Sequence, residues 1–139
     1  MKKTLFIIIC VCLFSCEKEN RVIPDGNYSG SFKYGTDQMW ASFGITGESF
    51  EEYASGGVIS QKFPTYCLTK GTYKIHNGTI VFNNIQIAQP PNKELNTCDE
   101  DYLLKGTYNI EELTDSTISF WKEANLGKQE YRLKRFYSE

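Results

Sequence analysis

The clearest structural signal in this chain lies in residues 68–87, which read LTKGTYKIHNGTIVFNNIQI. Asn77-Gly78 divides this segment in two, and Asn-Gly is the strongest short signal for a β-hairpin because both positions tolerate a positive φ. Apolar and polar side chains alternate on each side of the turn, as strands require. The segment therefore predicts an antiparallel hairpin with strands over 68–76 and 79–87.

The same pattern recurs along the chain. Lys70-Gly71-Thr72-Tyr73 returns 35 residues later as Lys105-Gly106-Thr107-Tyr108, which also opens a hairpin. Two copies are too few for a repeat array, and period-two alternation continues through most of residues 26–136. Closing such a sheet removes its exposed edges. The prediction is an all-β domain over residues 26–139, in which about eight antiparallel strands form an up-and-down meander and a small barrel.

Strand parity places the connections. In a meander they alternate between the two ends, so the long connections 55–67 and 88–101 meet at one end, the mouth, and the N-terminal entry lies at the other. Cys67 and Cys98 fall on these two connections. In an oxidising compartment such a pair predicts a disulfide, with free thiols or half of a metal site as alternatives. His76 is the only histidine, so no metal site is predicted.

The N-terminus has the layout of a secretory signal. Met1-Lys2-Lys3 is basic, residues 5–14 are apolar, and Ser15-Cys16 follows. The segment resembles a bacterial lipoprotein signal. The resemblance implies that residues 1–15 are removed, that Cys16 is acylated, and that residues 16–25 form a lipidated tether. An ordinary secretory signal with an incidental cysteine, or an N-terminal membrane helix, is the alternative.

Charge limits the partners of the mature chain. Removal of residues 1–15 leaves 139 − 15 = 124 residues, with 13 basic and 17 acidic side chains and a net charge of −4. No basic face is evident, so nucleic acid is not a predicted partner. Glu17-Lys18-Glu19-Asn20 resembles the export signal of surface lipoproteins in Bacteroides-like bacteria. The predicted partner is the membrane, through the lipid on Cys16. The predicted location of the monomer is the outer membrane or cell surface, with the periplasmic face as the alternative.

Two short features resemble the lipocalin and wider calycin group. In that group a Gly-x-Trp opens the barrel and an arginine of the last strand packs over the aromatic ring. Here Gly26-Asn27-Tyr28 opens the first strand, with tyrosine in place of tryptophan, and Arg132 or Arg135 lies on the last. Many small lipoproteins of Bacteroides-like bacteria are similar. The resemblance implies binding of a small apolar ligand or of a protein partner.

The alternation predicts a bulky, mostly aromatic interior. The inward-facing set comprises Tyr28, Phe32, Tyr34, Phe43, Phe50, Tyr73, Leu104, Tyr108, Phe120 and Tyr131. So many rings favour a filled core over a cavity, since a barrel of this size has room only for side chains or one small ligand. A ligand site would be shallow and at the mouth. Its predicted lining is Tyr34, Met39, Phe63, Tyr66, Tyr102, Phe120 and Tyr131; alternatively, these rings cap the core.

No pattern of residues predicts catalysis. Asp99-Glu100-Asp101 and Glu51-Glu52 are dense in carboxylates but lack the spacing of a calcium loop, which favours a solvated acidic surface. His76, Ser55 and Ser60 have no predicted partners for acid–base or nucleophilic chemistry. We therefore predict no catalytic residue, no metal and no cofactor.

These observations lead to one function and one alternative. The first is a membrane-anchored, non-enzymatic binding module for a small amphipathic ligand or glycan at the mouth. The alternative is a protein-interaction or inhibitor module that uses the disulfide-linked loops 55–67 and 88–101. Trp40 and Trp121 are predicted to face outward, either as binding hot spots or covered by a loop.

Overall fold

A computed structural model describes residues 21–53, 68–88 and 100–137. These ranges contain eight β-strands and one short 3-10 turn, and no α-helix. The strands are β1 (Gly26–Tyr34), β2 (Asp37–Thr46), β3 (Ser49–Tyr53), β4 (Leu68–His76), β5 (Thr79–Ala88), β6 (Gly106–Leu113), β7 (Thr117–Ala124) and β8 (Gly127–Phe136), and the 3-10 turn is Glu100–Tyr102.

The strands form a closed antiparallel barrel in sequence order. Each strand pairs with the next, and β8 returns to pair with β1 from Asn27↔Phe136 to Tyr34↔Gln129. The predicted hairpin is present, with Asn77 at φ 49° and Gly78 at φ 75°, as a two-residue turn requires. The prediction of an all-β meander that closes into a barrel is confirmed, while the outer boundaries of the domain stay a prediction.

The connections alternate between the two ends, as parity predicts. Leu68, which follows Cys67 directly, begins β4 at the mouth end. Asp101, three residues after Cys98, is bonded at the same end to Asn125 of the β7–β8 turn. Residues 54–67 and 89–99 lie outside the described residues, and both cysteines are among them. The disulfide therefore stays a prediction. The described residues that follow the two cysteines lie at the same end of the barrel.

Aromatic rings fill the interior. All ten residues predicted to face inward are buried, with at most 3% of their surface exposed. Phe82 lies among them, and its ring centroid is 5.0 Å from that of Phe50, 5.6 Å from Tyr108 and 5.4 Å from Phe120. Edge-to-face and tilted pairs of this kind add to the stabilisation that burial gives. The described interior thus favours the filled core over the cavity.

The end opposite the mouth, which we call the tether end, is closed by residues 23–25. Ile23 is 3% exposed, and its N–H donates a 3.1 Å hydrogen bond to the Tyr73 hydroxyl. That hydroxyl donates to the Gly47 carbonyl at 2.8 Å, and Gly47 N–H donates to Asp25 at 2.8 Å. The N-terminal entry is therefore at the predicted end, and the last part of the predicted tether is packed onto the barrel.

Tyr73 makes the stability of this end sensitive to alkaline pH. Burial raises the pKa of Tyr73 to about 12, from an ordinary value of 10.0. The unfolded chain releases this proton near pH 10 and the folded chain retains it, so the free energy of unfolding falls as the pH rises from 10 towards 12. Urea titrations at a series of pH values through this window measure the loss.

The variant Tyr73→Phe isolates this contribution. It is expected to be less stable at neutral pH by about 1 kcal/mol for each lost hydrogen bond, but to lose less stability between pH 10 and pH 12. Burial also raises the pKa of Tyr28 and Tyr108, so part of the alkaline loss remains. Tyr137→Phe, at an exposed position, is the matched control. An unchanged alkaline loss in Tyr73→Phe would contradict the assignment.

Candidate functional site

The structure brings the described members of the predicted mouth site together. Tyr34 and Tyr102 meet edge to face at 5.1 Å, and Phe120 and Tyr131 stack at 4.9 Å. Phe32 joins the two pairs, since its ring lies 4.5 Å from Tyr131 and 6.5 Å from Tyr34. The half-buried Met39 is the register partner of Phe32 and packs on the same core. Phe63 and Tyr66 lie outside the described residues.

These rings contact each other and the chain's own polar groups. The Tyr102 hydroxyl donates to Asp37 at 3.2 Å, and the Tyr34 hydroxyl accepts from the N–H of Leu126 at 3.1 Å. Tyr102, Leu103 and Leu104 are all buried, so the segment that precedes β6 covers the rings. This arrangement is the one expected if the rings cap the core, and ligand binding at the mouth stays a prediction.

A buried polar group lies beside the rings at the mouth. Gln129 is 1% exposed; its amide oxygen accepts from the Tyr108 hydroxyl at 3.0 Å and its amide nitrogen donates to the Asp101 carbonyl. The ammonium of Lys122 donates to the Lys105 carbonyl at 2.8 Å and lies 4.4 Å from the centre of the Tyr108 ring. Burial, and then the charge of Lys105, lowers the pKa of Lys122. These contacts hold the segment before β6 across the mouth.

Glu52 is the buried carboxylate of this region. It is 3% exposed and accepts hydrogen bonds from both the N–H, at 2.7 Å, and the hydroxyl of Thr69. Burial raises the pKa of Tyr108, and the charge of Glu52 raises it further. The period-two alternation of β3 places Glu52 on the inner face and Glu51 on the outer face. Glu51 and Glu52 were predicted together as a solvated acidic surface, which is wrong for Glu52 because its side chain is buried.

Glu51 lines an open groove on the outer wall of β2 to β5. The groove has a volume of about 390 Å³. Strand register builds it, because Gly44, Glu51, Lys70 and Gln86 form one row across four strands. The lining residues are Gly44, Thr46, Ser49, Phe50, Glu51, Tyr53, Lys70, Gly71, Thr72, Asn84 and Gln86.

A β-bulge shapes the floor of this groove. Lys70 pairs with Gln86 and Thr72 with Asn83, so β5 carries one extra residue opposite Gly71. Asn84 takes up the distortion with φ 52°, and its amide donates to the Thr72 hydroxyl at 3.1 Å. A bulge bends its strand and re-aims side chains, and asparagine is among the few residues that tolerate this conformation. The bulge thus places a side-chain amide in the groove.

Tyr53 forms one wall of the groove. Its ring lies over Gly44, where a side chain on residue 44 would overlap the Tyr53 hydroxyl. Tyr53 is nevertheless 45% exposed, so part of an aromatic ring faces solvent beside a row of hydrogen-bonding side chains. Trp40 also faces outward, as predicted, and is 60% exposed. Trp121 is half-buried, with the Lys128 ammonium 4.8 Å from the centre of its ring.

The groove suits a neutral, polyhydroxylated ligand. Glu51 and Lys70 contribute one negative and one positive charge, which cancel, and the remaining polar groups are amides and hydroxyls. Across residues 21–53, 68–88 and 100–137, no group of three or more His, Cys, Asp or Glu side chains is placed to hold a metal ion.

Comparisons with known proteins give a structural neighbour without a function. No protein-family model matches this chain, and no curated protein matches it. The chain is similar to a crystal structure of an uncharacterised protein from Bacteroides eggerthii, with a TM-score of 0.47 and 17% sequence identity over 81% of this chain and 98% of that chain. In the part of the chain that the structure describes, no helix has the length and apolar character needed to cross a membrane.

Proposed function

We propose that this chain is a lipid-anchored, lipocalin-like binding module without catalytic activity, and that it binds a neutral saccharide in the outer groove of β2 to β5. The observation that carries the proposal is the exposed Tyr53 ring beside a charge-balanced row of hydrogen-bonding side chains. The filled interior favours this groove over the mouth as the place where a ligand binds.

The lipocalin-like assignment is supported by the arginine of the last strand. Arg135 is the register partner of Tyr28, and its guanidinium lies against Gly26 and donates to the Asp25 carbonyl. The Tyr28 hydroxyl donates to Pro24 at 2.7 Å. Of the two candidate arginines, Arg135 is therefore the one that lies beside Tyr28 at the start of the barrel, whereas Arg132 forms ion pairs with acidic side chains outside the barrel.

The anchor is supported by the course of the chain. Residues 21–25 approach the barrel at the tether end, five residues after the predicted lipidation site Cys16. An acylated Cys16 would fix the protein to the outer membrane or cell surface and turn the mouth away from the bilayer. The outer groove lies on the side wall of a barrel held in this way, open to extracellular or periplasmic saccharides.

The saccharide follows from the chemistry of the groove. A pyranose ring has faces of C–H groups, which pack on an aromatic ring, and a rim of hydroxyls, each able to donate and accept. Tyr53 supplies the aromatic contact. The Glu51 carboxylate accepts from two neighbouring hydroxyls, Lys70 donates, and the amides of Asn84 and Gln86 do both. A concave site with few, well-placed polar groups is typical of small-ligand recognition.

The same groove is not equipped for glycoside hydrolysis. That reaction generally uses two carboxylates that flank the scissile bond, one as acid and the other as base or nucleophile. Glu51 is the one carboxylate among the residues that line the groove. Its outer-face neighbours across the strands are Gly44 and Lys70 rather than a second acid. This supports a binding role.

The test is saccharide binding by the purified full chain and its groove variants. An array of neutral mono- and oligosaccharides identifies a ligand, and calorimetry measures its affinity. Tyr53→Ala is expected to weaken binding at least tenfold, about 1.4 kcal/mol, because it removes the ring, while Tyr53→Phe retains most of the affinity. Gln86→Ala should weaken binding less, through one lost amide.

Trp40→Ala is the matched control, since Trp40 is a larger exposed ring on the outer wall but does not line the groove. It should leave the affinity unchanged. If Trp40→Ala abolishes binding and Tyr53→Ala does not, the saccharide site is elsewhere on the wall. If the array shows no neutral saccharide ligand, the proposed function is wrong.

A further inference from the structure

We infer that the tether end is a membrane-docking face and that a recess on it takes the phosphate of a phospholipid headgroup. The inference rests on the proposed anchoring at Cys16 and goes beyond it, because an acyl chain alone would leave the barrel free to turn on a flexible tether. Three features of the tether end support a fixed orientation: the short reach of the tether, the recess, and several exposed apolar side chains.

The tether is too short to hold the barrel away from the bilayer. Five residue steps separate Cys16 from Arg21, and even a fully extended chain of that length spans only about 17 Å. Two residues further on, Ile23 is buried and bonded to Tyr73, so the chain is fixed to the barrel there. An acylated Cys16 therefore keeps the tether end close to the headgroups.

The recess lies where the chain reaches the barrel. It has a volume of about 380 Å³ and is lined by Arg21, Val22, Glu48, Tyr73, Lys74, Ile75 and His76. Arg21 and Lys74 bring two cationic groups to the lining, in which Glu48 is the one carboxylate, and Asp25 lies nearby on the Gly47 N–H. Guanidinium and ammonium groups are the usual protein partners of phosphate oxygens, and Val22 and Ile75 offer apolar surface beside them. This combination matches a phospholipid headgroup and the start of its acyl chains.

Exposed apolar and aromatic side chains at the tether end suit the membrane interface. Val22 is 57% exposed, Phe136 45% and Tyr137 76%, and all three lie at the ends of the described chain near the tether end. The Arg135 guanidinium is 5.1 Å from the centre of the Tyr137 ring. Aromatic rings and cations of this kind concentrate at the membrane–water interface. A membrane already held within reach by the tether is the occupant that this face fits.

The test maps contacts with a photoreactive phospholipid headgroup. The full chain, purified from the membranes of an expressing bacterium, is placed in nanodiscs of phosphatidylethanolamine and phosphatidylglycerol that contain the probe. Cross-links are expected at residues 21–22, 74–76 and 136–137. Lys74→Glu should lower the yield at the recess about fivefold or more, as expected for a cation near an anionic surface. Lys33→Glu, an exposed change on β1, should leave the yield unchanged.

The outcomes separate this inference from the anchor. Cross-links absent from the tether end of an acylated, disc-bound chain overturn the docking face and leave the anchor intact. An intact mass that shows no acyl groups overturns the anchor. The unacylated chain is then mixed with phosphatidylglycerol vesicles: flotation with the vesicles supports the docking face, and failure to float overturns the docking face. Loss of cross-links on addition of millimolar inorganic phosphate, with the chain still in the disc, would identify a free-anion site and overturn the headgroup assignment.

Discussion

Replacement of Phe82 by alanine is expected to lower the free energy of unfolding by about 3–5 kcal/mol. Phe82 is 3% exposed and lies at the centre of the ring cluster, in contact with rings from β3, β4, β6 and β7. Alanine would leave a cavity that rigid rings on four other strands cannot collapse to fill. A typical domain has a free energy of unfolding of roughly 5–15 kcal/mol, so the expected loss is a large part of the total.

Chemical denaturation of Phe82→Ala and the unmodified chain measures this loss, with Trp40→Ala as the control. Trp40 is the larger side chain, but it is 60% exposed, so its removal should change stability by no more than about 0.5 kcal/mol. A loss below about 1 kcal/mol for Phe82→Ala would show that the rings do not pack as one cluster, and would reopen the interior as a ligand cavity.

The barrel could be predicted from the sequence because its signals are local. Asn77-Gly78 specifies a turn without help from the rest of the chain, and period-two alternation specifies which side chains face inward. Tyr28 and Tyr131 are far apart in sequence, yet each was assigned to the interior from its neighbours alone. Once the strands and their order are known, parity places every connection at one end of the barrel or the other. This is why the connections that carry Cys67 and Cys98 were predicted to meet at one end.

The candidate groove could not be predicted in the same way because it depends on register. Gly44, Glu51, Lys70 and Gln86 form a row only through the pairing of four strands, and no local pattern fixes that pairing. The extra residue of β5 opposite Gly71, with Asn84 in a left-handed conformation, is likewise a property of the strand pair.

The buried polar side chains at the mouth were not predicted from the sequence, for a different reason. Glu52 could have been assigned to the interior, because it alternates with the inward-facing Phe50. It was instead predicted to be solvated because of its charge, since an ionised side chain is costly to bury without partners. The Thr69 N–H and hydroxyl supply such partners from the next strand. Gln129 was likewise passed over, although it shares the inner face of β8 with Tyr131.

Gly30→Ala is expected to destabilise the protein by about 3 kcal/mol or more, because it forces apart the pair of strands that closes the barrel. A Cβ on residue 30 would overlap the Arg132 carbonyl oxygen and lie 3.0 Å from the Leu133 Cα. Both obstacles are backbone atoms of β8, which cannot rotate away as a side chain can. The β1–β8 ladder would have to separate around Gly30↔Leu133 to admit one methyl group.

Two other glycines separate this steric effect from the general cost of replacing glycine. Gly47 has φ 56° and open space around its Cβ position, so Gly47→Ala should cost only the backbone strain of about 1–2 kcal/mol. Gly44→Ala meets the Tyr53 side chain, which can move aside at the expense of the groove wall. Urea unfolding should therefore rank Gly30→Ala as the most damaging of the three. If Gly30→Ala costs no more than Gly47→Ala, β1 and β8 do not approach as closely as described, and the closure of the barrel at this seam is wrong.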